Sequence, residues 1–245
     1  MKTKKNLKFK IGLLGLLLAL PLAITATHSE ASVKAWSGPQ TSNEGSYYSS
    51  VGNETGSALK GRLKSIISSN VSTSYDWSRY EAADEAEGEP SKVLQIYSRK
   101  TISKSMHVSG SSGWNREHSY PQSKIGSPAT SDNHHIFASD NRLNSIRSNN
   151  RFGVVAKNSG NQVEDSTGAL TDNYSAGGYF MPNSLAQGEV ARATMYLNTL
   201  YDYSVTGNFA SVELMLEWHV DNPVTNREIY RNNKVHSLQD RKSVV

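Results

Sequence analysis

The sequence predicts an α+β fold in a single mixed domain, and three observations lead there. Separate stretches carry apolar residues at helical spacing. A short β-branched run has the length and composition of a strand. No repeat, long linker or second composition regime divides the chain, whose length suits one domain. Residues 32–55, rich in Ser, Gly and Asn, read as a flexible entry segment, and the folded domain is expected over residues 56–245. A first helix is predicted over Gly56–Asn70, with Leu59, Leu63, Ile66 and Ile67 on one face and Lys60 and Lys64 off it. The acidic run Glu81–Glu89, closed by Pro90, reads as a solvated loop or helix end, because like charges in a row repel and stay in water. Lys92–Ser98 (KVLQIYS) is a strand candidate, and the polar, Gly-rich Gly160–Gly178 is expected to be a loop. A helix over Gln187–Tyr201 carries Val190, Thr194, Leu197 and Tyr201 as a core stripe. Another over Ser211–Val220 carries Val212, Met215, Leu216 and His219, with Pro223 at or just past its end.

The first residues have the layout of a secretory signal peptide. Lys2, Lys4, Lys5, Lys8 and Lys10 precede an apolar stretch from Ile11 to Ala23. That stretch falls short of the roughly 20 residues a membrane span needs. Residues 1–31 are therefore expected to be a leader cleaved after Ala31, with Ala35 as a second option. Its five lysines stand against Glu30 alone, which accounts for the whole formal charge of +4. The pI near 9.1 thus belongs largely to the leader and says little about a nucleic-acid partner. Distribution says more. Between Ser98 and Lys157 lie Arg99, Lys100, Lys104, Arg116, Lys124, Arg142, Arg147, Arg151 and Lys157, against Glu117, Asp132 and Asp140. Such a stretch suits a site that receives a polyanion, and on charge alone it is equally a solvated basic face. The chain has no cysteine, which excludes thiolate metal sites and Cys nucleophiles. An exported chain without disulfides must be held by its core, and it fits a Gram-positive exterior better than a disulfide-forming periplasm.

The chemistry concentrates in WNREHSYPQS at Trp114–Ser123 and DNHHIFASDNRLNSIRSNNRFG at Asp132–Gly153. Neighbouring side chains on a strand point to opposite faces, so Glu117 and His118 meet at one site only at a strand end or twist, and Pro121 supplies a reason to stop. Asn144 falls in a predicted short helix whose apolar face is Leu143 and Ile146. On it Asn144, Arg147, Ser148 and Arg151 share a side by helical spacing. These residue types suit phosphodiester hydrolysis. A carboxylate and an amide oxygen are hard ligands that leave Mg²⁺ several waters. A neutral His can take a proton from an attacking water, and Arg forks grip phosphate. Nothing in that set requires a ribose 2′-OH.

With WNREH, the D-x-HH element at Asp132, His134 and His135, LNSIRSN at Leu143–Asn149, FMP at Phe180–Pro182, GEVARATMYL at Gly188–Leu197, LEWHVDNPV at Leu216–Val224 and RNN at Arg231–Asn233, the chain resembles the bacterial endonuclease I family. The likeness is strongest to its exported Gram-positive DNase and RNase members, within the ββα-metal (His-Me finger) nucleases. The resemblance implies a ββα-metal core with additional helices, His118 as general base, and Glu117 and Asn144 as ligands of Mg²⁺, with Mn²⁺ or Ca²⁺ as substitutes. It implies Arg147 as a phosphate contact and Arg116 as a weaker candidate. His134 and His135 are either hydrogen-bonded structural residues or supports of the loop that touch substrate. The expected protein is a secreted, monomeric, largely sequence-non-specific endonuclease acting on DNA and RNA and leaving 5′-phosphate and 3′-hydroxyl ends. Phe137 and Ala138 stand where relatives carry a basic residue and a proline, which puts substrate grip in question. The short tail after Gln239 departs from relatives too. A surface protein that binds nucleic acid with little catalysis is the alternative on the same fold.

Overall fold

The computed structural model describes residues 46–68, 74–107 and 110–239, which lie in one compact unit spanning Val33–Val245. The expected leader 1–31, most of the entry segment and the tail from residue 240 lie outside the described residues. None of the described helices is long and apolar enough to cross a membrane. Helix α1 (Gly56–Ile67) buries Ile67 against α4 (Ser184–Tyr201). Helix α4 starts one turn earlier than predicted, because the Asn183 side chain accepts from the Ala186 amide and caps it. Val190, Thr194 and Leu197 of its stripe enter the core fully buried, whereas Tyr201 at the helix end is half-buried. Gly188 on this helix is required by packing, since a Cβ there would lie 2.4 Å from the Asn222 carbonyl oxygen at the end of α5 (Val212–Asp221).

The described residues form three small sheets: β1-β2-β3 (Glu85–Ala86, Glu89–Leu94, Thr101–Ser103), β4-β5 (Trp114–His118, Ile136–Asp140) and β6-β9-β8-β7 (Arg151–Phe152, Tyr179–Met181, Leu170–Ala176, Gln162–Glu164). Several expectations are corrected. The acidic run holds the end of helix α2 (Trp77–Ala83) and strand β1, and Asp84 is fully buried, because arginines from α6 (Asn226–Gln239) neutralise it. Strand β2 ends at Leu94; the chain then turns, with Arg99 at a positive φ of 55°, and carries Tyr97 inward. The expected loop at Gly160–Gly178 is the β7–β8 antiparallel hairpin. Helix α6 had no apolar stripe to announce it; it is held by buried Arg227, Glu228 and Arg231.

Strand β5 leads into helix α3 (Asn141–Arg147) without a linker, because the Asp140 carboxylate at the strand end accepts from the Arg142 and Leu143 amides. The helix stops at Arg147. Ser148 takes a φ of 46°, so Ser148 and Arg151 leave the helical face on which periodicity had placed them. β4, β5 and α3 form a ββα unit.

Candidate active site

Strands β4 and β5 pair antiparallel, with Glu117 opposite Phe137 and His118 opposite Ile136. Alternation turns Trp114, Arg116 and His118 to one face and Asn115 and Glu117 to the other. Helix α3 lies against β4 and binds its carbonyls. The Asn144 Nδ2 donates to the Arg116 carbonyl at 3.3 Å, and Arg147 donates to the His118 carbonyl at 2.7 Å and to that of Ser119. These bonds dock α3 along β4, with Asn144 on the Arg116 carbonyl and Arg147 on those of His118 and Ser119.

Glu117 is 2% exposed. Its Oε1 accepts from the Tyr97 hydroxyl at 2.7 Å and pairs with Arg147 at 3.2 Å. Burial raises its pKa above the ordinary carboxylate value, against the opposing pull of the Arg147 charge and the Tyr97 bond. Both bonds fall on Oε1, and among the described residues none donates to Oε2. The Asn144 amide turns its nitrogen to a carbonyl, which leaves Oδ1 uncommitted among the described residues. A carboxylate and an amide, each with a free oxygen, fit a hard divalent ion that keeps most of its water. Among the described residues no three His, Asp or Glu side chains gather into a fuller cage. Beside Asn144 opens a cavity of about 710 Å³, lined by Asn115, Asn141, Arg142, Ser145 and Ser166.

His118 sits at 3.1 Å from the Thr130 carbonyl through Nε2. A carbonyl only accepts, so Nε2 carries the proton and Nδ1 keeps its lone pair. Burial, and next the neighbouring His135, lower its pKa to about 3, so the ring is neutral in the neutral range. His135 is fully buried and donates from Nε2 to the Ala129 carbonyl at 2.7 Å. Its ring lies 5.5 Å from that of His118. His134 is buried against Tyr196, ring to ring at 4.5 Å. Asp132, the third member of that element, accepts from Tyr196, Tyr201 and Gln239. The D-x-HH element thus forms the wall behind His118.

The two arginines occupy less open positions than a phosphate clamp needs. Arg147 is 1% exposed, and beyond the strand carbonyls and Glu117 it donates to Asn208 at 2.9 Å. The Arg116 guanidinium lies between the rings of Tyr75 (3.5 Å) and Trp77 (3.8 Å). Other bases of the positive stretch are similarly engaged: Arg99 is buried on Glu189, Arg142 pairs with Glu164 and Lys124 donates to the Gly207 carbonyl. Phe137 and Ala138 are buried, the former under the Arg231 guanidinium at 4.0 Å and the latter beside Trp114. Phe137 lies on the Glu117 face of the sheet and Ala138 on the Arg116 face, and both side chains are covered by protein. Tyr97, Thr130, Asn208 and Tyr75 complete the surroundings. No motif or periodicity marks them, because each reaches the site from a separate segment.

The family profile described as Endonuclease I matches residues 55–243. The chain is also similar to two curated proteins named "Extracellular ribonuclease". It is 29% identical to that of Bacillus subtilis (strain 168), over 86% of this chain and 78% of the relative. It is 28% identical to that of Bacillus amyloliquefaciens, over 78% and 70%.

Proposed function

The chain belongs to the endonuclease I family, and on that premise we propose that it is a secreted endonuclease that hydrolyses DNA and RNA with a divalent ion, Mg²⁺ first and Mn²⁺ or Ca²⁺ as substitutes. One observation carries the reading: a neutral histidine of defined tautomer stands at the strand end where two hard oxygens, Glu117 Oε2 and Asn144 Oδ1, remain uncommitted. His118 Nδ1 takes the proton of a water, which attacks phosphorus in line with the departing 3′ oxygen. The P–O3′ bond breaks, and the departing 3′ oxygen takes a proton from solvent water, which leaves a 5′-phosphate and a 3′-hydroxyl. The Thr130 carbonyl holds the ring against rotation and stabilises the imidazolium that forms. Burial makes the free ring a weak base, and the negative charge of an incoming phosphate raises its basicity at the moment of use. Glu117 and Asn144 would hold the ion, which when bound would supply positive charge to the phosphate and the leaving oxygen. Arg147 ties the His118 carbonyl to Glu117 and so positions both groups. No contact requires a 2′-OH, and the names of the relatives support RNA and an extracellular setting.

The test is cleavage of plasmid DNA and of RNA with Mg²⁺, with and without EDTA, for the protein and for His118→Ala. Turnover should vanish with chelator and fall by at least about a hundredfold in the variant, with the melting temperature preserved. Cleavage indifferent to EDTA would overturn the metal assignment.

A further inference from the structure

Outside the groups assigned above, the face of β4 that bears His118 carries an aromatic cluster with no role in the proposed chemistry. Trp77 and His107 stack with ring centroids 4.4 Å apart and planes 8° apart, and Trp114 meets both edge-on. Arg116 enters between Trp77 and Tyr75, and its Nη1 also donates to the Tyr75 carbonyl at 3.2 Å. The guanidinium therefore pins Tyr75 twice, through ring and backbone. Tyr80 meets the Tyr75 ring edge-on at 5.7 Å. Tyr75 nevertheless keeps 41% of its surface exposed, and its ring centroid lies 5.7 Å from that of His118, the planes tilted by 33°. Every other aromatic side chain of this cluster is more covered.

We infer that Tyr75, positioned by Arg116, is a stacking platform for an unpaired nucleobase next to the scissile phosphate, so that the enzyme favours single-stranded substrate. This rests on the reading of His118 as the group acting at the phosphate. A phosphate brought to that imidazole carries its flanking base into the neighbourhood of an exposed aromatic ring. Every base has a π-face, so such stacking is tolerant of sequence. The ring is already ordered by the Arg116 contacts, so little freedom is lost when a base arrives. A base inside a duplex has both faces covered by its neighbours and must unstack to use the platform, which disfavours duplex. The arrangement also accounts for Arg116, whose guanidinium is committed to holding the platform.

The experiment uses an end-labelled single strand with one internal abasic residue, resolved at single-linkage resolution. Linkages remote from the abasic residue act as controls within the same molecule. The protein should cut the linkage beside the abasic residue roughly tenfold more slowly than the others. Tyr75→Ala should lose activity at the ordinary linkages and erase that dip, while Tyr75→Trp keeps it; Tyr75→Leu replaces the alanine variant if that does not fold. Uniform cutting by the unaltered protein, or an undiminished dip in Tyr75→Ala, would overturn the platform and leave the nuclease reading standing. If no linkage is cut with Mg²⁺, Mn²⁺ or Ca²⁺, the nuclease reading fails, and fluorescence anisotropy decides the platform alone. It should then show the single strand bound roughly tenfold tighter than a hairpin of the same sequence, with the difference lost in Tyr75→Ala. Equal affinities would overturn it.

Discussion

The two sides of the β4–β5 hairpin are both rich in polar groups, and they treat those groups in opposite ways. Behind β5 runs a buried chain of ions: Arg99 to Glu189, Glu189 to Arg227, Arg227 to Asp84 and Asp84 to Arg231, with Arg192 and Glu228 paired alongside. Asp84 accepts the Ala138 amide, and Arg231 donates to the Ile136 carbonyl, so the chain of ions grips the strand itself. There the carboxylates are matched by forks. On the β4 side, where α3 approaches, Glu117 and Asn144 each keep an oxygen uncommitted among the described residues, and His118 keeps Nδ1. Breaking a buried ion pair strands the remaining charge at a high cost, and a polar atom left without a partner costs stability that a function can justify but not remove. Rigidity on one side lets the other keep its unpaired atoms in register.

The sharpest way to break this comparison is to remove a link of the ion chain. Arg227→Met leaves Asp84 and Glu189 buried and short of a partner. It should cost about 3–5 kcal/mol in urea unfolding, with activity lost only in proportion to the folded fraction. A variant of full stability would show that the chain of ions does not hold the hairpin. Arg147→Met tests to which side that arginine belongs. If it is the buttress its burial describes, the unsatisfied carbonyls of His118 and Ser119 should cost about 2–3 kcal/mol. A variant of native stability whose KM alone rises would instead make Arg147 a substrate contact. The smallest effect concerns His135, whose buried ring has its pKa lowered to about 4. Between about pH 6.5 and 4 the unfolded chain takes up a proton that the folded one refuses, so stability falls as pH falls through that window. The slope from this residue is at most about 1.4 kcal/mol per pH unit. His135→Gln should flatten it in urea midpoints measured from pH 7 to 4.5; an unchanged slope would assign the titration elsewhere.

Much of the site was legible in the sequence because local chemistry wrote it. Glu117 and His118 are adjacent, Pro121 stands just past the end of their strand, and Leu143 with Ile146 announces α3 and with it Asn144. Apolar periodicity found helices α1, α4 and α5 within a few residues, but not all of their buried faces: α1 buries only Ile67 of its predicted face, and α5 exposes Val212 and Leu216 while burying Leu214, Met215 and Trp218. The same rule missed α6, whose buried residues are mostly polar, with Arg227, Glu228, Arg231, Asn232 and Gln239 beside the single apolar Val235. It also overran α3, because a single backbone step at Ser148 diverts the chain and leaves no trace in residue type.

By itself, then, the sequence determined the mixed fold and the family, and it singled out Glu117, His118 and Asn144 as candidates. Those depend on neighbours in the chain or on motifs read along it. Tertiary structure alone decided what each charge is for. Arg147, Arg116, Phe137 and the histidine pair carry the same formulae whether they face phosphate or line a wall. Arg147 has 1% of its surface exposed, and what surrounds it comes from Glu117, Ser119, Phe152 and Asn208, from separate segments of the chain. A charge acquires its role from the dielectric and the partners around it, and long-range packing sets both.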